Sequence, residues 1–175
     1  MNKIVLILIS TLMIYANGSI TGDFNGDGAK ESVSTIFKNC KNDIDFQICD
    51  CFLKFSNHKI KSFNIGECDG GGVGADLLNE GDLNGDGADE IGLMRHWPTS
   101  AWRAYEIFNV KNKPKKVFGM SLFIGGEIES IYQADLVRKN PSKKGYVQYR
   151  FFGITDHNGD NIDFDGKTWK SGKLQ

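Results

Sequence analysis

The sequence predicts an all-β domain, on three observations. Apolar and polar residues alternate with period two over many stretches, while helical periodicity is hard to find. Turn-forming residues fall where those stretches should reverse. The composition, with 12 Phe, 5 Tyr and 21 Gly but only 3 Pro in 175 residues, leans towards strands joined by tight turns.

The chain opens on Lys3 followed by an apolar run at 4–16, broken only by Ser10 and Thr11. That run is shorter than the ~20 residues of a comfortable membrane span. It suits the apolar region of a secretory signal peptide. Small residues Ala16 and Gly18 place cleavage before Ser19, so 1–18 reads as a leader and 19–175 as one all-β domain. An uncleaved anchor is the other option. No later stretch is long and apolar enough to span. The expected location is secreted, periplasmic or at the cell surface.

Strands are expected near 31–38, 44–55, 59–65, 90–95, 101–110, 115–124, 127–138, 145–154 and 162–169. Their apolar faces are read as Ile44, Phe46, Ile48 and Phe52; as Trp102, Ala104, Phe108 and Val110; and as Ile128, Tyr132, Ala134 and Leu136. Reversals are expected at 42–43, 56–58, 112–114, 125–126 and 141–143. The stretch 69–81 is the loosest, with one helical turn conceivable at 73–78. Short strands with frequent turns fit a sandwich or propeller-like sheets.

Hydrophobic residues make up 40% and the formal net charge is −1, so neither disorder nor a broad nucleic-acid surface is expected. The cysteines are Cys40, Cys49, Cys51 and Cys68. An even count in an exported chain favours disulfides. Cys49 and Cys51 share one strand face and are poorly placed to bond each other. Two pairings remain: Cys40–Cys49 with Cys51–Cys68, or Cys40–Cys51 with Cys49–Cys68. A zinc site would need paired spacing that is not present.

The most informative feature is a near-duplication. GDFNGDGAKE at 22–31 and GDLNGDGADE at 81–90 match at eight of ten positions, 59 residues apart. Counted from the first Asp, oxygen-bearing side chains stand at positions 1, 3, 5 and 9. These are Asp23, Asn25, Asp27 and Glu31, then Asp82, Asn84, Asp86 and Glu90. Gly28 and Gly87 at position 6 permit a sharp reversal, and Ala29 and Ala88 at position 7 can offer a backbone carbonyl. Such a shell of hard oxygens suits Ca²⁺, which binds at roughly 2.3–2.6 Å; Mg²⁺ wants a tighter octahedron. A plain polar turn needs one or two Asn or Gly, not four oxygens in two copies.

An EF-hand would carry Glu at position 12, where Ser34 and Leu93 stand, and would continue into helices. A dockerin loop would repeat at a shorter interval. The long interval and the strand-like run after each loop resemble the FG-GAP/VCBS repeat family, which includes the integrin α-chain propeller. The resemblance implies one blade-like sheet per repeat, with Ca²⁺ held by Asp23, Asn25, Asp27, Ala29 and Glu31, and by Asp82, Asn84, Asp86, Ala88 and Glu90. The chain is long enough for two or three such units, short of a closed seven-bladed ring. An open or incomplete propeller is therefore expected. A degenerate third stretch, 156–165, begins alike but has Asn161 at position 6 and Phe164 at position 9. It reads first as a hairpin turn, and second as a third metal site in which Asp163 or Asp165 would substitute.

Evidence for catalysis is thin. His58, His96 and His157 lie apart, no G-x-S-x-G element occurs, and Gly70-Gly71-Gly72 lacks the remainder of a phosphate loop. One stretch, 95–103, holds Arg95, His96, Trp97, Trp102 and Arg103, which suits stacking on a sugar or anchoring a protein. Trp97 at a core edge and Trp102 inside a strand is the plainer reading. The basic runs 111–116 and 138–144 read as solvated turns, with polyanion or membrane attraction second. The expectation is thus an exported, calcium-stabilised binding or scaffold module with a protein or glycan ligand and no nucleic acid. A Ca²⁺-dependent carbohydrate enzyme is the alternative, and self-assembly a further option.

Overall fold

A computed structural model describes residues 18–44, 46–70, 75–95, 102–123, 136–150 and 169–175. Residues 1–17 of the leader, residues 96–101, the glycine pair at 125–126 and the third Asp-rich stretch lie outside them, as do the apolar positions Ile128, Tyr132 and Ala134 and most of the strands expected at 127–138 and 162–169. The described residues form strands and no helix. Sheet one runs in sequence order through β1 (Ser19–Gly22), β2 (Glu31–Asn42), β3 (Gln47–Phe55) and β4 (Phe63–Asp69). Sheet two does the same through β5 (Ala75–Gly81), β6 (Glu90–Arg95), β7 (Trp102–Asn109) and β8 (Lys115–Phe123). Sheet three has the order β11 (Trp169–Lys173), β10 (Tyr146–Arg150), β9 (Val137–Lys139). All pairings are antiparallel, and no sheet closes into a barrel.

Each acidic loop joins the first two strands of its sheet. Gly22 lies opposite Glu31 in sheet one, and Gly81 opposite Glu90 in sheet two. The expected all-β class of blade-like antiparallel sheets is therefore found. Sheet two is central, with a core on either face. Core one joins Val33, Cys51, Leu53, Phe55 and Ile65 of sheet one to Ile91, Leu93 and Phe108 of sheet two. Core two joins Met94, Tyr105, Ile107 and Leu122 to Val137 and Val147 of sheet three. This explains why β6 is buried almost throughout instead of alternating. Each fully buried Leu, Ile or Phe contributes about 1.5–3 kcal/mol relative to exposure.

Several local expectations are corrected. Ala75–Gly81 is a strand, not part of a loose stretch with a helical turn. The strand expected near 59–65 begins at Phe63, because the Asn57 side chain takes the Lys59 N–H at 3.0 Å and prolongs the turn. The apolar face of β3 is inverted. Cys49, Cys51, Leu53 and Phe55 are buried, whereas Ile44 is 94% exposed and Ile48 and Phe52 only half-buried. In β7 both faces are buried, Tyr105 and Ile107 in core two and Phe108 in core one.

Of the two cysteine pairings, the structure has Cys40–Cys49 and Cys51–Cys68. The first ties the outer end of β2 to β3, and the second ties β3 to β4 inside core one. Two disulfides fit folding in an oxidising, extracellular-type environment. Among the described residues no helix is long and apolar enough to cross a membrane.

Arg95 is used internally rather than displayed. Its guanidinium donates to the Ile65 carbonyl and, at 3.2 Å, to the Glu67 carbonyl, both on β4. It also pairs with Glu106 on β7, which Lys116 approaches to 3.0 Å. Gly66, at φ +102°, leaves room for it; a Cβ there would lie 2.7 Å from Arg95 Nη1. One charged side chain thus fastens sheet one to sheet two.

Candidate functional site

Both acidic loops are folded by their own side chains. In loop one, Asp23 Oδ1 accepts the N–H of Gly26 at 2.8 Å and of Asp27 at 3.0 Å, and its Oδ2 accepts Gly28 N–H at 2.8 Å. Asn25 Oδ1 takes Asp27 N–H at 2.8 Å, and Asp27 Oδ1 takes Ala29 N–H at 2.9 Å. Loop two repeats this scheme. Asp82 takes Gly85, Asp86 and Gly87 at 2.6, 3.0 and 3.2 Å, Asn84 takes Asp86 at 2.7 Å, and Asp86 takes Ala88 at 2.9 Å. The reversal uses left-handed backbone at position 4 as well as position 6: φ is +73° and +80° at Gly26 and Gly85, +88° and +87° at Gly28 and Gly87.

The glutamates close the loops from beneath. Glu31 Oε2 accepts Phe24 N–H at 3.1 Å, and Glu90 Oε2 accepts Leu83 N–H at 2.7 Å. Phe24 and Leu83, at position 2, plug core one and core two respectively. The remaining oxygens converge. Asn25 Nδ2 meets Asp27 Oδ2 at 3.0 Å and Glu31 Oε1 at 2.9 Å. Asn84 Nδ2 meets Asp86 Oδ2 at 3.0 Å and Glu90 Oε1 at 2.5 Å. Each loop therefore gathers two carboxylate oxygens about one amide. The position-1 carboxylates are turned towards backbone amides, and Ala29 and Ala88 are anchored through their N–H. Among the described residues no three acidic, His or Cys side chains form a ready metal cluster.

Two residues that the sequence reading missed complete the sites from the next turn of each sheet. Asn57 Nδ2 reaches Glu31 Oε1 at 3.2 Å. Asn109 Nδ2 reaches Asp86 Oδ2 at 2.9 Å and Glu90 Oε1 at 2.7 Å. Each also takes the N–H two residues on, Lys59 at 3.0 Å and Lys111 at 3.1 Å. The repeated pattern Asn-x-Lys at 57–59 and 109–111 was the available signal.

Burial divides the carboxylates. The hydrogen bond from Ala29, and then that from Asn25, holds the exposed Asp27 carboxyl below the usual range. Glu90, fully buried, is pushed up to about 7 by desolvation, against the hydrogen bonds from Asn109 and Leu83.

The two loops also touch. Asp89 N–H donates to the Asp23 carbonyl at 2.8 Å, while Asp89 Oδ2 accepts Asp23 N–H at 3.0 Å. Asn79 Nδ2 bridges Thr21 O at 2.9 Å and Asp89 Oδ2 at 3.1 Å. Lys111 donates to the Asp86 carbonyl, and Lys139 of sheet three donates to the Asp82 carbonyl at 3.2 Å. Lys30, the counterpart of Asp89 in loop one, is exposed. Comparison of the chain with protein-family models, with curated proteins and with solved structures finds no match.

Proposed function

We propose that the chain is an exported, calcium-stabilised binding or scaffold module of the FG-GAP/VCBS type, with one Ca²⁺ in each acidic loop. The observation that carries this is the burial of two glutamates without a cation. Glu31 is 2% exposed and Glu90 0% exposed, and neither pairs with a Lys or Arg among the described residues. A buried carboxylate held by neutral amides alone is costly, and a dication offsets that cost. The donor set fits: hard oxygens at positions 1, 3, 5 and 9, with Asn amides that offer oxygen when turned over. Asp23, Asn25, Asp27, Glu31 and the Ala29 carbonyl would hold one ion; Asp82, Asn84, Asp86, Glu90 and the Ala88 carbonyl the other. Bound calcium would neutralise the carboxylates and pin each loop to the strand that follows it.

Chelation is expected to lower the melting temperature, with Ca²⁺ restoring it better than Mg²⁺. Asp27→Ala and Asp86→Ala are each expected to remove about one bound Ca²⁺ in metal analysis of dialysed protein. A melt indifferent to chelator, together with full metal retention in both variants, would refute the reading.

A further inference from the structure

Sheet three is chemically unlike the rest of the chain. Its described residues, 136–150 and 169–175, contain seven Lys and Arg and no Asp or Glu, within a protein of net charge −1. Val147 and Tyr149 face core two. Strand alternation therefore puts Tyr146, Gln148 and Arg150 on the opposite face, where the register sets Arg150 against Trp169, Gln148 against Arg138, and Tyr146 against Lys173.

Cations and aromatic rings interleave on that face. The Arg138 guanidinium lies 3.9 Å from the centre of the Trp169 ring and that of Arg150 lies 4.7 Å from it. The Lys143 ammonium lies 3.7 Å from the Tyr146 ring centre. Arg138 is further fixed by its Nε–H bond to Gln148 at 2.8 Å. Among the described residues no carboxylate pairs with Arg138, Arg150, Lys143 or Lys173. A guanidinium laid on an aromatic ring keeps its N–H edge available for a planar anion. Like charges held side by side repel, and an anion relieves that repulsion. Next to this face a cleft of about 310 Å³ opens between loop two, at Asn84 and Gly85, and the β9–β10 turn, at Lys139, Lys143, Lys144 and Tyr146.

We infer that this face and its adjoining cleft bind an anionic polysaccharide. Sugar rings lie against the aromatic side chains, and carboxylate or sulfate groups are taken by Arg138, Arg150 and the turn lysines. A membrane surface fits less well. Among the described residues the one exposed large apolar side chain is Ile44, in the β2–β3 turn, and the Trp169 and Tyr146 rings on this face are covered by cations, so no described apolar side chain here stands ready to insert. The inference rests on the binding-module part of the proposed function and not on calcium.

The test uses the full chain, with binding to polygalacturonate, sulfated dextran and neutral dextran measured with Ca²⁺ and with chelator. Both polyanions should bind and neutral dextran should not, with affinity falling at least about tenfold between about 50 and 200 mM salt. Arg138→Ala with Arg150→Ala should weaken binding about tenfold or more, as should the surface pair Lys143→Ala with Lys173→Ala, chosen in case the first pair disturbs folding. Lys61→Ala, in the exposed β3–β4 connection, should change nothing. Equal binding of neutral dextran, no binding at low salt, wild-type affinity in both double variants, or tighter binding to single-stranded DNA or to anionic vesicles overturns it. Loss of glycan binding beside a calcium-dependent melt defeats this inference alone. Glycan binding beside a calcium-indifferent melt defeats the calcium reading alone.

Discussion

Glu90 is the most deeply buried carboxylate of the two loops, which makes its protonation matter for stability. In metal-free protein its folded-state carboxyl holds a proton up to about pH 7, whereas in the unfolded chain it releases it near 4.5. The folded state therefore binds more protons between those values, and stability falls as pH rises through that window. With chelator present, denaturant midpoints should drop from pH 5 to pH 8, by on the order of 2 kcal/mol from this group. Glu90→Gln should flatten that slope, and saturating Ca²⁺ should remove or reverse it, since the ion favours the charged form. An identical slope in Glu90→Gln would assign it to other groups. Most of the site was legible from the chain because the loops are short-range objects: every bond from Asp23, Asn25 and Asp27 to the backbone spans no more than five residues. Asn109 was not, because it arrives from 19 residues beyond Glu90, and its one signal, the short Asn-x-Lys repeat, does not say which loop it reaches.

At the scale of elements, the loops connect sheets as well as strands. Asp89 and Asn79 bind sheet two to β1, and a Cβ at Gly22 would come within 2.5 Å of Asn79 Nδ2 and 2.7 Å of Asp89 Oδ2. Asp89→Ala should cost about 1–2 kcal/mol in chemical denaturation, since it strips a partner from a part-buried backbone N–H. Lys30→Ala, at the equivalent but exposed position, should stay within about 0.5 kcal/mol. Equal losses would mean that the bridge contributes nothing. Strand existence was readable wherever β-branched and aromatic residues recur, as in β2 and β7. Strand β5, with the sequence ADLLNEG, has neither, and its place is set by pairing with β6 rather than by its own preference. The face of β3 was misread because cysteine, half of its buried set, packs as a small apolar residue, while Phe52 is served from outside by the Lys38 ammonium at 4.6 Å.

For the whole molecule, sheet two shares a core with each neighbour, and Arg95 crosses one of those boundaries. The described sheets should therefore unfold together, with fluorescence and far-ultraviolet circular dichroism tracing one coincident transition. Arg95→Ala should separate the two traces or lower the midpoint by the equivalent of about 3 kcal/mol, because Glu106 and two β4 carbonyls lose their donor. Two transitions in the unaltered protein would show that the sheets are energetically separate. The stacking itself was beyond sequence reasoning, since it depends on which residues from distant strands meet in the two cores.

The exposed Lys30 sets the first sheet apart from the second. Asp89 clasps the sheet before it, but at the corresponding place on the first sheet an arriving neighbour meets an ammonium group with no acid to clasp it. A further sheet docking at that place would lack the latch that joins the first pair.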